Sequence, residues 1–291
     1  MHLALLLNPD NSMAIQTVRE LLPFAEQSGV TLHIHQQVFS QIQSDPIPEF
    51  IYLHESDREA MTEAGITIAI GGDGTMLRAA HIVRSLRKPL LGINSGKLGF
   101  LANTQRQNMK SALQNVLAGN YDLDKRFFIE AEFSDGQMLY ALNEFAFSRK
   151  GSVSMITLTA EYDGAFINKY WADGVIVSSP TGSTAYNLST GGPIVVPQTS
   201  VIVLTPISPH TLTTRPLVLP SEKNLTIKVE PIDQEVLFSG DGKVYDLPAH
   251  SPEVNIRQSD HFIQLIKLSG QSYFETLRNK LMWGADMRER R

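Results

Sequence analysis

The sequence predicts an α/β domain with a Rossmann-like parallel sheet, followed by an all-β sandwich domain. Over the first hundred residues, short apolar runs alternate with segments whose apolar residues recur at helical spacing, as in a parallel sheet covered by helices. From about Tyr121 to Leu268, short β-branched and aromatic runs are interrupted by Pro, Gly, Asn and Asp, as in all-β domains. We therefore expect an α/β domain over 1–105 and a β-rich domain over 106–269. A C-terminal helix within 270–291 is expected to pack back on the first domain.

These patterns predict individual elements. In the first domain the predicted strands are Leu3–Leu7, Val30–His35, Ile66–Ile70 and Pro89–Ile93. The predicted helices are one that Ser12 caps and Gly29 ends, one over Met76–Leu86 and one over Met109–Leu117. The strands predicted in the second domain include Phe127–Phe133, Ile156–Tyr162, Gly174–Ser178, Val201–Leu204, Leu225–Val229 and Phe262–Leu268. A last helix is predicted over Ser272–Met282.

Composition excludes several classes of function. The formal net charge of -5 argues against nucleic acid as the main partner, because binding the phosphate backbone requires a basic face. The chain has no cysteine, which excludes disulfides, cysteine-ligated zinc and a thiol nucleophile. The sequence has no apolar window of the ~18 residues that a membrane span requires, and the first apolar run is too short for a secretory signal. The expected location is therefore the cytoplasm, without a membrane partner.

A glycine cluster, Gly71-Gly72-Asp73-Gly74-Thr75, stands between a predicted strand and a predicted helix. Glycines allow a sharp turn and a close approach of the backbone to a ligand, and the N–H groups at a helix N-terminus favour phosphate. A carboxylate within such a site would be repelled by phosphate, so Asp73 requires a reason. It could hold Mg²⁺ or accept a proton from an attacking hydroxyl, and the alternative is a helix cap in an ordinary turn.

A second polar segment follows the predicted strand that ends at Ser178. It contains Thr181-Gly182-Ser183-Thr184-Ala185-Tyr186 and is rich in hydroxyl groups that suit ribose and phosphate oxygens. Two acids, Glu144 and Asp173, stand nearby in the sequence. The alternative is a surface turn rich in serine and threonine.

The order and spacing of these segments resemble the NAD kinase family. The resemblance rests on Gly71–Thr75, Asn143-Glu144 and Thr181–Tyr186, and further matches are Asn94–Leu101, Arg215–Leu217 and Ser239–Gly242. The first segment alone is also similar to diacylglycerol, sphingosine and phosphofructo-kinases, so the combination provides the specificity. The resemblance implies transfer of the γ-phosphoryl group of ATP to the 2′-hydroxyl of the adenosine ribose of NAD. It also implies a divalent cation, Mg²⁺, and a homodimer or homotetramer that binds NAD between its two domains.

The resemblance also implies roles for individual residues. Asp73 would accept the proton of the ribose hydroxyl, and no metal ligand is firmly assigned. The residues expected to contact phosphate or ATP are Gly71, Gly72, Gly74, Thr75 and Lys243. The residues expected to bind NAD are Asp73, Gly74, Arg78, Asn143, Glu144, Asp173, Thr184, Ala185, Tyr186, Asn187, Leu188 and Ser189.

The chain departs from the family pattern at two positions. Trp171 stands where many members have Arg or Lys, and Lys243 stands where Gln is common. Lys243 is a candidate for a phosphate contact supplied by a neighbouring subunit. Two other functions would account for part of the pattern. A lipid or other small-molecule kinase would need only Gly71–Thr75, and a non-catalytic NAD-sensing module would not need Asp73.

Overall fold

The computed structural model describes residues 1–42, 46–96, 99–102, 104–151, 154–230, 236–247 and 253–282. The chain divides into two compact units, one formed by Met1–Lys125 with Ile263–Arg291 and the other by Arg126–Phe262. The sequence placed the first boundary at 105. Residues 106–125 group with the first unit because the helix over Met109–Leu117 buries Met109, Leu113 and Val116 in the core of that unit.

Seven α-helices are formed by the described residues. They are α1 (Ser12–Gln27), α2 (Gln36–Ile42), α3 (Asp57–Glu63), α4 (Asp73–Val83), α5 (Met109–Leu117), α6 (Tyr186–Ser189) and α7 (Tyr273–Leu281). All except α6 belong to the first unit. None of the helices in the described part of the chain is long and apolar enough to cross a membrane.

The first unit contains a parallel sheet. Its strands are β1 (His2–Leu7), β2 (Thr31–His35), β3 (Ile51–His54), β4 (Ile66–Ile70), β5 (Pro89–Asn94) and the short β6 (Thr104–Gln105). Hydrogen bonds between parallel neighbours give the order β3-β2-β1-β4-β5, with β6 beside β5. The central strands β1 and β4 are apolar and buried, as expected for a sheet covered by helices on both faces. The predicted α/β class and its four strands are confirmed.

Three details of this unit differ from the sequence prediction. Asn11 caps α1, because its side chain accepts a hydrogen bond of 3.1 Å from the N–H of Ala14, whereas Ser12 is the first helical residue. Helix α4 begins at Asp73 rather than at Met76, so Asp73, Gly74 and Thr75 belong to its first turn. The segment that forms α2, β3 and α3 contains no element predicted from the sequence.

The second unit is built from antiparallel strands. They are β7 (Tyr121–Phe133), β8 (Met138–Ala141), β9 (Glu144–Arg149), β10 (Ile156–Tyr162), β11 (Ala165–Ala172), β12 (Gly174–Ser178), β13 (Val201–Ile207), β14 (Leu217–Pro220), β15 (Leu225–Val229), β16 (Val236–Gly240), β17 (Lys243–Tyr245) and β18 (Glu253–Leu268). The unit boundaries fall within β7 and β18.

These strands form two sheets with a shared core. One sheet has the order β14-β13-β12-β9-β16-β17, and the other pairs β11, β10, β15 and β18. The core between them includes Phe145, Phe147 and Phe238. The centroid of the Phe238 ring lies 5.4 Å from that of Phe145 and 4.8 Å from that of Phe147. The predicted all-β class is confirmed. The polar segments that the sequence singled out in this unit lie at the ends of β9, β12 and β16.

Candidate active site

In the first unit, the glycine cluster joins the buried strand β4 to helix α4. The N–H of Gly71 donates to the carbonyl of Ile93 on β5, and Gly72 is the N-cap residue of α4 without a side-chain capping bond. The three glycines differ in their surroundings. A Cβ on Gly71 would lie 2.3 Å from the hydroxyl oxygen of Thr75, whereas Cβ atoms on Gly72 and Gly74 would meet nothing within 4 Å. Of these three positions, packing within the unit therefore requires glycine only at position 71.

The carboxylate of Asp73 lies in a cradle of backbone N–H groups. Oδ2 accepts from Phe100 at 2.9 Å, and Oδ1 accepts from Leu101 at 3.0 Å and from Ala102 at 3.3 Å. A Cβ on Gly99 would lie only 2.1 Å from Oδ1, so the chain can wrap around the carboxylate only with glycine at that position. Residues 94–101 stood out in the sequence only as a match to the family. Lys97 and Leu98 of that match lie outside the described residues.

Lys280 at the end of α7 also contacts Asp73. Its Nζ lies 3.1 Å from Oδ2 of Asp73 and 4.5 Å from the centroid of the Phe100 ring. Burial alone would raise the pKa of the Asp73 carboxyl, but the N–H donors of Phe100 and Leu101 and the Lys280 ammonium outweigh burial, so this pKa is lowered. Asp73 is therefore ionised at neutral pH. Sequence reasoning missed Lys280 because no local pattern distinguishes it from other helical lysines.

Arg78, the other charged residue predicted for this site, has different partners. Its Nη2 donates to the carbonyl of Leu7 at 2.8 Å and lies 3.2 Å from the carboxylate of Asp57. Arg78 thus connects α4 with the end of β1 and the start of α3. About half of its side chain remains exposed.

In the second unit, Asp241 organises the segment around Asn143 and Glu144. Its carboxylate accepts hydrogen bonds from the N–H groups of Leu142 at 2.7 Å, Asn143 at 2.8 Å and Glu144 at 3.3 Å. Asp241 has a φ of 49° in the turn between β16 and β17, where Gly242 follows it with a φ of 76°. The segment 239–242, which matches the family, therefore stabilises the start of β9 through Asp241.

Glu144 is buried, and its Oε2 has no hydrogen-bond partner within the described structure. Burial is the main cause that raises the pKa of Glu144 to about 8, with the carboxylate of Asp241 as a second cause, against an opposing hydrogen bond from the N–H of Tyr186. The carboxyl group is therefore mostly protonated at pH 7. A buried polar atom without a partner is costly, which is a reason to expect a ligand there.

The segment from Thr181 to Ser189 packs directly against Asn143. The Ser179 N–H donates to the Asn143 carbonyl at 2.8 Å, and a Cβ on Gly182 would lie 2.2 Å from the same oxygen. A 3-10 turn over Gly182–Thr184 leads into the short helix α6. Asn143, Glu144 and Thr184–Ser189 are thus brought together on one unit, as the sequence analysis expected of residues that bind one ligand.

Side chains within this segment differ in exposure. Tyr186 is 44% exposed, whereas Asn187 is fully buried. The Asn187 amide donates to the carbonyls of Ser183 and Pro193 and accepts from the hydroxyl of Thr205 at 2.6 Å. The side chain of Asn187 therefore holds the loop together from inside, and Tyr186 is available at its surface.

The remaining predicted residues of this unit have partners of their own. Asp173 forms an ion pair with Arg149 at 2.8 Å, and its side chain is about one-third exposed. Trp171 is 51% exposed and lies against the ring of His210, with 4.2 Å between the ring centroids. The exposed Lys243 lies with its Nζ 5.4 Å from the centroid of the Tyr245 ring.

Comparisons with known proteins point to one family. The ATP-NAD kinase N-terminal domain family matches residues 3–121, and the ATP-NAD kinase C-terminal domain family matches residues 142–268. The NAD kinase of Flavobacterium johnsoniae is 37% identical over 93% of this chain and 94% of its own length. That of Chlorobium phaeobacteroides is 34% identical over 98% of both chains.

Two solved structures align with nearly the whole chain. The yeast NADH kinase complexed with NADH aligns with a TM-score of 0.88 and 25% identity, over 99% of this chain and 89% of that one. An NAD kinase from Archaeoglobus fulgidus in complex with ATP aligns with a TM-score of 0.75, over 97% and 99% of the two chains. Its 23% identity supports the fold.

Proposed function

The chain belongs to the ATP-NAD kinase family, and on that premise we propose how its residues transfer the γ-phosphoryl group of ATP to the 2′-hydroxyl of the adenosine ribose of NAD. The hydroxyl oxygen forms a bond to the γ-phosphorus while the bond to the β,γ-bridging oxygen breaks and ADP leaves. The proton of the hydroxyl passes to Asp73. The matched proteins described above are NAD or NADH kinases, and they give no support to a lipid kinase or a non-catalytic sensor.

The cradle around Asp73 supports its role as proton acceptor. Three N–H groups and an ammonium fix the orientation of the carboxylate and keep it ionised. A lowered pKa makes Asp73 a weak base. Phosphoryl transfer tolerates a weak base because its transition state is loose and depends mainly on the alignment of the attacking oxygen.

The first turn of α4 is the proposed phosphate contact. Its N–H groups lack a side-chain cap, and an uncapped helix N-terminus favours an anion. Gly74 is exposed within the helix, where glycine costs about 1 kcal/mol relative to alanine, yet nothing in the described structure requires it. We propose that glycine stands at positions 72 and 74 because a phosphate group needs space near the backbone there. Thr75 lies in the same turn and is proposed as a further phosphate contact.

The cluster around Glu144 is the proposed NAD-binding surface. A protonated carboxyl can donate one hydrogen bond and accept others, and ribose hydroxyls can take both roles. Asn143, Thr184, Ala185, Leu188 and Ser189 line the same segment, and Tyr186 offers an exposed ring. Asp173 and Arg78 are proposed to contact NAD because the resemblance implies it. Asn187 would act by holding the loop in shape.

The divalent cation is proposed to arrive with the nucleotide. The described residues contain no group of three His, Asp or Glu side chains that could hold a metal ion, and Asp73 is already engaged by four donors. Mg²⁺ in kinases is held largely by substrate phosphates and one or two carboxylates, which fits this donor set. When bound, it would neutralise charge on the phosphates.

The resemblance also supports a homodimer or homotetramer in the cytoplasm, in which Lys243 would reach a phosphate of a neighbouring subunit. Sedimentation of the purified protein would test this assembly. A monomeric, fully active enzyme would contradict it.

The test of function is an assay of the purified chain with NAD, ATP and Mg²⁺, coupled to an NADP-specific dehydrogenase. We expect ATP-dependent formation of NADP. Saturable NAD binding without any NADP would instead indicate a sensing module. Phosphorylation of diacylglycerol or sphingosine in place of NAD would indicate a lipid kinase.

A further inference from the structure

Lys280 is placed against Asp73 by the C-terminal helix. Its residues are largely exposed, and Leu277, one turn before Lys280, is the residue of α7 that is buried in the unit. The Lys280 ammonium is held at two points, by Oδ2 of Asp73 at 3.1 Å and by the face of the Phe100 ring at 4.5 Å. Phe100 is also the residue whose N–H donates to the same Oδ2. Lys280 and the N–H cradle thus act on one carboxylate.

The contribution of this pair to stability is small. Both side chains are 32% exposed, and exposed ion pairs contribute on the order of 0–1 kcal/mol. The buried Leu277 anchors α7 more effectively. The consequence of the pair therefore falls mainly on Asp73, whose carboxylate gains a fixed orientation and a neighbouring positive charge.

We propose that Lys280 is a positioning residue of the phosphoryl transfer, which holds the carboxylate of Asp73 ionised and oriented towards the ribose hydroxyl. This inference rests on the proposed function. After the transfer Asp73 is protonated, and the ammonium of Lys280 then lacks an anionic partner. Lys280 therefore also favours release of that proton and the return of Asp73 to its ionised state. The charged side chain that faces Asp73 from the described elements is Lys280, and the other groups against it are backbone N–H donors.

The experiment compares Lys280→Met with Lys280→Arg in the full-length enzyme. We expect Lys280→Met to lower kcat by about 10- to 100-fold, the scale for a misplaced catalytic group, with KM for NAD and ATP changed far less. Loss of the ammonium raises the pKa of Asp73 towards its ordinary value, so the acidic limb of the pH profile of kcat should move to higher pH than in the parent. Lys280→Arg should recover most of the activity, and methylammonium should partly rescue Lys280→Ala.

The matched control is Arg278→Met, which removes an exposed cation from the same helix without a contact to Asp73. It should leave kcat and its pH dependence unchanged. Phe100→Leu removes the ring but keeps the backbone N–H, so it should reproduce a weaker form of the Lys280→Met profile. It therefore provides a second test if Lys280→Met folds poorly. Parental kcat and pH dependence in Lys280→Met, or equal losses in Lys280→Met and Arg278→Met, would overturn the inference. In either case the unmodified enzyme would still make NADP, so the proposed function would stand.

Discussion

Asp73 in the first unit and Glu144 in the second are both partly or fully withdrawn from solvent, yet their surroundings act on them in opposite directions. Asp73 receives three N–H donors and a lysine, and its pKa is lowered. Glu144 has an oxygen without a partner and a carboxylate nearby, and its pKa is raised to about 8. The contrast shows that hydrogen-bond donors and a nearby cation can outweigh the effect of burial at one carboxyl group, whereas burial prevails where such donors are few. The ionised, fixed carboxylate of Asp73 can accept a proton, and the protonated carboxyl of Glu144 can share hydrogen bonds with a sugar.

The largest effect is expected from Asp73→Asn. Loss of the proton acceptor should lower turnover by about 10²–10⁴-fold, the range for a missing general base. NAD affinity, measured by calorimetry, should weaken much less than turnover because most of the proposed NAD contacts lie around Glu144. A loss of turnover below about threefold would contradict the assignment. If Asp73 instead holds the metal, excess Mg²⁺ should partly restore activity.

The cradle itself is tested by Gly99→Ala. The added Cβ would lie 2.1 Å from Oδ1 of Asp73, so the carboxylate must move, and we expect turnover to fall by about 10²-fold. Gly96→Ala is the matched control, because its Cβ would meet nothing closer than 4.0 Å. Equal activity of the two variants in the coupled assay would show that the orientation of Asp73 is unimportant.

Glu144→Ala and Glu144→Gln separate hydrogen bonding from charge. We expect Glu144→Ala to raise KM for NAD about tenfold, the loss of a hydrogen bond worth ~1.5 kcal/mol, and to change KM for ATP much less. Glutamine keeps one donor and one acceptor in nearly the same shape as a protonated carboxyl. Glu144→Gln should therefore stay within about threefold of the parent at pH 7. A glutamine variant as defective as the alanine variant would indicate that NAD binding requires the anion.

The two kinds of glycine in the phosphate turn should respond differently to alanine. Gly74→Ala should raise the free energy of unfolding by about 1 kcal/mol while lowering activity, because the new methyl group stands where phosphate is proposed to bind. Gly71→Ala should lower stability by about 1–3 kcal/mol through its clash with Thr75. Thermal denaturation and the coupled assay measure both quantities. A fully active Gly74→Ala variant would show that phosphate does not bind at this turn.

The dependence of stability on pH tests the protonated state of Glu144 without the assay. The folded pKa of Glu144, about 8, lies above the ordinary value of 4.5, so its stabilising effect is complete below pH 4.5 and is lost as pH rises through 8. Between these values the slope approaches at most ~1.4 kcal/mol per pH unit. Glu144→Gln should remove this slope in urea denaturation, and Glu222→Gln, an exposed control, should keep it. Parallel curves for parent and Glu144→Gln would show that Glu144 is ionised in the folded protein.

Much of the fold follows from local patterns in the sequence. The apolar strands β1, β4 and β5 are recognised because they are buried on both faces and therefore almost free of polar residues. Elements α2, β3 and α3 were not recognised because they are only four to seven residues long and their apolar periodicity is too short to read. Strand β3 also lies at the edge of the sheet, where it lacks the continuous buried apolar run of the central strands.

The site divides in the same way. The glycine turn and Asn143-Glu144 are contiguous segments, so composition and resemblance identified them. The Lys280 contact joins residues 207 positions apart, and the partnerless oxygen of Glu144 depends on packing from several strands. Such relations arise only when the chain folds, and a single sequence contains no local signal for them.

The opposite charge states of Asp73 and Glu144 can be measured directly by NMR titration of ¹³C-labelled carboxyl groups. Signals would be assigned by their loss in Asp73→Asn and Glu144→Gln. We predict that Glu144 titrates with a midpoint of about 8, whereas Asp73 titrates below the ordinary range of aspartate. A Glu144 midpoint near that of an exposed glutamate, with both groups ionised at pH 7, would contradict the account.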